Sequence, residues 1–141
     1  MSDTSLTDRY YAALNSRDWK AYAELFTADA ALEGPGGVTG AGPAAMQAFD
    51  GGFVTAASDF HLAALAVYAT GDRIAYELHA TGTHDGPLAT PQGDVPASGN
   101  RVDVKGVGVF ELRDGRIAAQ RIYFDRMALI EQITAAPALA H

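Results

Sequence analysis

The stretch Arg121-Ile122-Tyr123-Phe124-Asp125 spaces three polar side chains two residues apart. In a β-strand, residues two apart share a face. Arg121, Tyr123 and Asp125 then line one side, and Ile122 and Phe124 the other. Such a row is either a solvated outer face or the floor of a pocket. A carboxylate in an apolar pocket has its charged form disfavoured, which raises its pKa toward values useful for taking and returning a proton. Tyr and neutral His side chains can steady an oxygen on which charge develops. His79 and His84 both fall on the strand predicted over 73–84, the second where it enters a long loop. The two histidines are five residues apart. On a regular strand one faces inward and the other outward, unless a bulge at Gly82 breaks the alternation. Each residue also has a plainer reading. Asp125 before Arg126-Met127 is a good helix cap, Arg121 suits an ion pair on a wet face, and Tyr10 and Tyr123 suit a core. His61 reads as structural and His141 as tail.

These residues need elements to position them. Leu6, Tyr10, Ala13 and Leu14 recur at helical spacing after a cap at Thr4 or Ser5. Asp18 caps a second helix carrying Trp19, Tyr22, Leu25 and Phe26. A short strand covers 30–33 and stops at Gly34-Pro35-Gly36-Gly37. Gly42-Pro43 opens a third helix with Met46, Phe49 and Phe53. The texture then changes to strands at 60–69, 73–84, 101–113 and 116–124, with turns at Gly71-Asp72 and Asp114-Gly115. A last helix runs from Asp125 or Arg126 to about 133, and the tail from about 134 is expected to fray. The Gly/Pro-rich loop 86–99 is long enough to be the lip of a pocket. Helices followed by antiparallel strands predict one α+β domain over 1–141, with a sheet wrapped around three N-terminal helices and an apolar hollow between them.

The chain of 141 residues is 48% hydrophobic and 19% charged, enough for one self-sufficient core. A formal net charge of −7 argues against nucleic acid or an anionic membrane as partner. There are no cysteines, so thiolate chemistry and disulfides are excluded. No run approaches a membrane span, and the start lacks a signal-peptide pattern, so a cytoplasmic protein is expected. No His and carboxylate set has a metal spacing. Gly36-Gly37 and Gly51-Gly52 lack the lysine and context of a phosphate loop. Neither metal nor cofactor is expected.

Several stretches resemble known families. The order αα-β-α-ββββ is similar to the cone-shaped nuclear-transport-factor-two-like superfamily. Arg9 to Asn15 with Asp18 resembles the first helix of ketosteroid isomerases. Leu25-Phe26-Thr27-Ala28-Asp29-Ala30 resembles their entry to the first strand. Gly82-Thr83-His84-Asp85-Gly86 with Pro96-Ala97-Ser98-Gly99 resembles the pattern of SnoaL-like polyketide cyclases. Gly108 to Leu112, Asp114 to Ile117 and Tyr123-Phe124-Asp125 resemble both those cyclases and limonene epoxide hydrolases. The matches cover about residues 9–132.

The isomerase comparison retains Tyr10. It puts Gly34 where the base belongs and leaves the adjacent Glu33 on the opposite face, and the second acid falls near Gly108. The epoxide hydrolase comparison retains Asp125 but replaces the other members by His79-Ala80-Thr81 and Leu32-Glu33-Gly34. The cyclase resemblance implies an intramolecular aldol reaction with Asp125 as acid and base and no cofactor. Gly106 and Gly108 on one strand face would leave room for a flat ligand. The resulting expectation is a catalytic set of Asp125, His84 and Tyr10. His79, Tyr123, Arg121, Gly108 and Glu33 would contact a small hydrophobic carbonyl compound. The rival is a non-catalytic ligand-binding or dimerisation module. The enzyme reading requires Asp125 and one of Tyr10, His79 or His84 to meet in one cavity. Large residues at both alternations of 116–124 suggest an apolar outer sheet face, covered in a homodimer.

Overall fold

The structure is a computed structural model that describes residues 5–136. The expected cap at Thr4, the end of the tail and His141 lie outside the described residues. Helix α1 (Ser5–Ser16) turns Leu6, Tyr10 and Leu14 into the core. Its end is a sharp turn in which Arg17 takes a positive φ of 60°. Asp18 then caps α2 (Trp19–Ala23), accepting a hydrogen bond from Ala21 N–H. Strand β1 (Phe26–Gly34) is longer than the predicted segment, and β2 (Val38–Ala41) folds back on it. Strand β2 has only four residues, two of them small, and carries no apolar alternation that a sequence reading could detect. Helix α3 (Pro43–Ala56) begins with proline in its first turn.

Strands β3 (His61–Thr70), β4 (Arg73–Thr83), β7 (Arg101–Arg113) and β8 (Arg116–Phe124) build most of the sheet. Between them the long loop folds into a small hairpin of β5 (Leu88–Thr90) and β6 (Gly93–Val95). Helix α4 (Arg126–Thr134) follows β8. The order β2-β1-β8-β7-β4-β3 is antiparallel except where β1 runs parallel to β8. The fold is α+β, with a curved, unclosed sheet holding the helices. Among the described residues no helix is long and apolar enough to cross a membrane.

Which side chains face the helices is decided by one irregularity. In the pairing of β7 with β8, Glu111 faces Ala119 but Leu112 faces Ile117, so Ala118 is an extra residue on β8. Such a bulge reverses the alternation beyond it. Ile117 is buried on one side of it, and Gln120 and Ile122 are buried on the other. Without the bulge, Arg121 and Tyr123 would share the inward face of Ile117. With it, they point outward. The large residues at both alternations of this segment are therefore largely core residues on either side of a bulge.

Candidate active site

A cavity lies between α1, α3, α4 and the concave sheet. Its wall is almost wholly apolar, with Phe49, Phe53, Leu62, Leu78, Ile122 and Phe124 prominent. Three side chains with proton-handling groups interrupt that wall: Tyr10, Asp50 and His84.

Asp50 sits on the buried stripe of α3 and is only 4% exposed. No cation faces it. Tyr10 of α1 and Tyr22 of α2 both donate to its Oδ2, at 2.7 and 2.5 Å. Oδ1 accepts no hydrogen bond among the described residues. Burial pushes the Asp50 carboxyl up to about 6, although the hydrogen bonds from Tyr22 and Tyr10 pull the other way. Burial and the neighbouring Asp50 charge raise Tyr10 and Tyr22 far above the ordinary phenol range, so both remain donors. The Tyr22 hydroxyl also lies 3.0 Å from the Met46 carbonyl. Its single proton can serve Asp50 when the carboxylate is charged. When Asp50 carries the proton, the carboxyl can donate to Tyr22, which then donates to Met46. Both protonation states of Asp50 are thus hydrogen-bonded, as a group that exchanges protons requires. Behind Tyr10, Gln120 Nε2 donates to the hydroxyls of Tyr10 and Tyr76, at 3.0 and 3.2 Å.

His84 closes the run of inward residues on the β4 side and is 1% exposed. Its backbone N–H donates to the Asn100 carbonyl, and Gly99 N–H donates to its carbonyl. The backbone N–H of Ser98 donates to Nδ1 at 3.2 Å. Ser98 Oγ lies 2.8 Å from Nδ1 and accepts from Asn100 N–H, which directs its own hydroxyl proton at the ring. Nδ1 is therefore an acceptor, and the proton of the neutral ring sits on Nε2. Nε2 is buried with no hydrogen-bond partner among the described residues. Since the residue lines the cavity, a ligand oxygen is the natural acceptor for that N–H. The β4 end is itself pinned to α3, for Asp85 and Gly86 N–H both donate to the Ala56 carbonyl.

A profile of the SnoaL-like polyketide cyclases matches residues 4–133. The chain belongs to the SnoaL-like polyketide cyclase family. Among solved structures, it is similar to a proposed SnoaL-like polyketide cyclase from Jannaschia sp. CCS1, with 23% identity, a TM-score of 0.84, and 95% and 92% of the two chains covered. A proposed polyketide cyclase from Pseudomonas putida KT2440 gives 25% identity, a TM-score of 0.76 and coverage of 95% and 99%. A protein with a ketosteroid isomerase-like fold from Catenulispora acidiphila, in complex with trimethylamine, gives 18%, 0.74, and 91% of each chain. A comparison with curated proteins found no match.

In this SnoaL-like chain the expected set divides. Tyr10 and His84 line the cavity together. Asp125 does not join them: it is exposed and caps α4, accepting from Ala128 N–H at 3.0 Å. The bulge at Ala118 is the cause, since it turns the whole row of Arg121, Tyr123 and Asp125 outward. Tyr123 is 54% exposed, and Arg121 pairs with Glu111. His79 is on the outer face too, 2.7 Å from Asp103, because the alternation of β4 continues unbroken to His84. Glu33 is exposed on β1. Gly108 does face inward but leaves no space for a ligand. A Cβ there would overlap the Tyr76 ring, which occupies the room expected for one. Gly106 is likewise closed, by the backbone of Tyr123.

The residue that sequence reasoning missed is Asp50. The signal was present: Met46, Phe49, Asp50 and Phe53 follow one helical stripe, with a carboxylate where the spacing calls for an apolar residue. In the sequence Ser98 stands out only as part of a motif, and its hold on His84 depends on a loop path that spacing does not specify.

Proposed function

We propose that the protein is an acid/base enzyme acting, without a cofactor, on a small hydrophobic carbonyl compound, with Asp50 as base and His84 as hydrogen-bond donor. The observation that carries the reading is Asp50: a buried carboxylate lining an apolar cavity, with no cation and one free oxygen among the described residues. A base raised to about 6 is largely ionised at neutral pH and still strong enough to take a proton. In the proposed step, Asp50 removes the proton from a carbon next to the carbonyl. The electron pair passes to the carbonyl oxygen, and the enolate so formed is held by His84 Nε2–H. In an aldol ring closure the enolate carbon attacks a second carbonyl of the same molecule, and Asp50 returns the proton to the new alkoxide. Tyr10 and Tyr22 position the carboxylate and hold its charge. In this reading a second copy of the chain covers the outer sheet face.

The condition first set for an enzyme, Asp125 meeting Tyr10, His79 or His84 in one cavity, is not met, and a second reading, ligand binding without turnover, draws support from that; the enzyme reading stands on Asp50 instead. One experiment separates the two. A panel of hydrophobic aryl ketones is incubated with the protein in D2O, and loss of the α-proton signal is followed by NMR. The enzyme reading expects accelerated exchange that Asp50→Asn abolishes and that rises with pH through about 6. Ketones that bind, seen by line broadening, with exchange no faster than in buffer support the binding module and overturn the assignment of Asp50 as base.

A further inference from the structure

The inner cavity encloses only about 60 Å3, whereas a space of about 150 Å3 is what admits a benzene ring. A second hollow of about 160 Å3 adjoins it. The two share Phe49, Phe53, Leu88, Phe124 and Leu129 as walls. A ligand with its reacting carbonyl at Asp50 and His84 therefore extends past these side chains into the outer hollow.

That hollow is bounded by the turn after β1, the β5–β6 hairpin and the start of α4. Arg126 is the charged residue in its lining. The guanidinium rests on the glycine turn: a Cβ at Gly36 would overlap its Nη1. Arg73, Arg101, Arg113 and Arg121 each pair with a carboxylate and Arg17 holds backbone carbonyls, whereas Arg9, Arg116 and Arg126 have no such partner among the described residues, and of these three it is Arg126 that lines the hollow. Arg126 makes no hydrogen bond or ion pair among the described residues, in a chain with 17 acidic side chains against 10 basic ones. It also occupies the first residue of α4. There the helix dipole opposes a cation and favours an anion, so the arginine gains nothing from its own helix.

We propose that Arg126 and the outer hollow form a subsite for an anionic oxygen group, a carboxylate in the simplest case, on a ligand whose reacting carbonyl reaches the inner cavity and whose apolar body lies in the outer hollow. The guanidinium offers paired N–H donors to such a group, next to apolar walls that exclude water. The proposal rests on the reading of the inner cavity as a ligand site and names the class of ligand it takes.

The test uses two fluorescent probes of similar shape, 8-anilinonaphthalene-1-sulfonate and the neutral N-phenyl-1-naphthylamine, titrated into the native protein, Arg126→Gln and Arg126→Lys. Circular dichroism checks that the variants fold. Arg126→Gln should weaken the sulfonate probe by about tenfold, the size expected for one lost charge-assisted contact, and leave the neutral probe unchanged. Arg126→Lys should keep most of the sulfonate affinity, and added salt should weaken the sulfonate probe alone. If Arg126→Gln affects neither probe, or both alike, while the neutral probe still binds, the anion subsite is wrong and the cavity reading stands. If the neutral probe does not bind the native protein, the cavity reading fails and the subsite falls with it.

Discussion

Asp50 is held in a place where its charge costs the fold stability. Its carboxyl has an ordinary value of 3.8 and a value in the folded protein of about 6. The folded state thus binds the proton more tightly than the unfolded chain does. The stabilisation from that bound proton is complete below about 4 and is lost as the pH rises through about 6. Asn cannot ionise, so Asp50→Asn escapes the loss. Between pH 4 and pH 8 its stability should therefore gain on that of the native protein by about 3 kcal/mol, the equivalent of a two-unit shift. Urea unfolding at the two pH values measures this. An equal difference at both would mean that Asp50 does not titrate as its burial implies. A substitution whose relative stability rises with pH while exchange is abolished marks a group whose ionisation is kept for function at a cost to the fold. Of this site, His84 and Tyr10 were legible in the sequence, because a histidine at a strand end and a tyrosine on an apolar helix face are conspicuous types. Asp50 was hidden by its neighbours, whose apolar stripe reads as ordinary core.

Strand alternation made β3, β4, β7 and β8 readable almost to the residue, and it put Arg121, Tyr123 and Asp125 on one face; the cyclase resemblance, not the alternation, assigned that face to the pocket. The spacing of those three is regular, but the bulge at Ala118 precedes them and is invisible until β7 and β8 are paired. The plainer reading of Asp125, a helix cap, is what the geometry supports. It leads to a prediction that separates this residue from the site. Asp125→Ala should lower stability by about 1 kcal/mol, the usual cost of a lost N-cap, and leave exchange at the α-carbon unchanged. A loss of exchange comparable to that in Asp50→Asn, with α4 intact by circular dichroism, would return Asp125 to the catalytic set.

At the scale of the molecule the two faces of the sheet have separate work. The inner face carries the cavity. The outer face presents Tyr68, Val107 and Tyr123, which are 59%, 40% and 54% exposed. Val107 and Tyr123 are direct neighbours across β7 and β8, and Glu77 and Arg121 flank them on the adjoining positions. An apolar centre with charged surroundings is the composition of a protein interface, and exposed apolar residues that adjoin one another require an explanation that scattered ones do not. The proposed explanation is a second copy of the chain packed sheet to sheet, for which a stable dimer needs about 800 Å2 per partner. Tyr123→Glu sets a carboxylate in the centre of that contact in both copies; the neighbouring Arg121 is already paired with Glu111, so each new charge would be desolvated without a free cation. Sedimentation at about 10 μM should show a dimer for the native protein and a monomer for Tyr123→Glu, since an interface of standard size holds at micromolar concentration. Because the cavity lined by Asp50 of α3 and by His84 is on the other side of the sheet, the monomeric variant should keep its α-carbon exchange. A native protein that sediments as a monomer removes the dimer. A monomeric variant that has lost exchange would mean that the cavity depends on the partner for its shape.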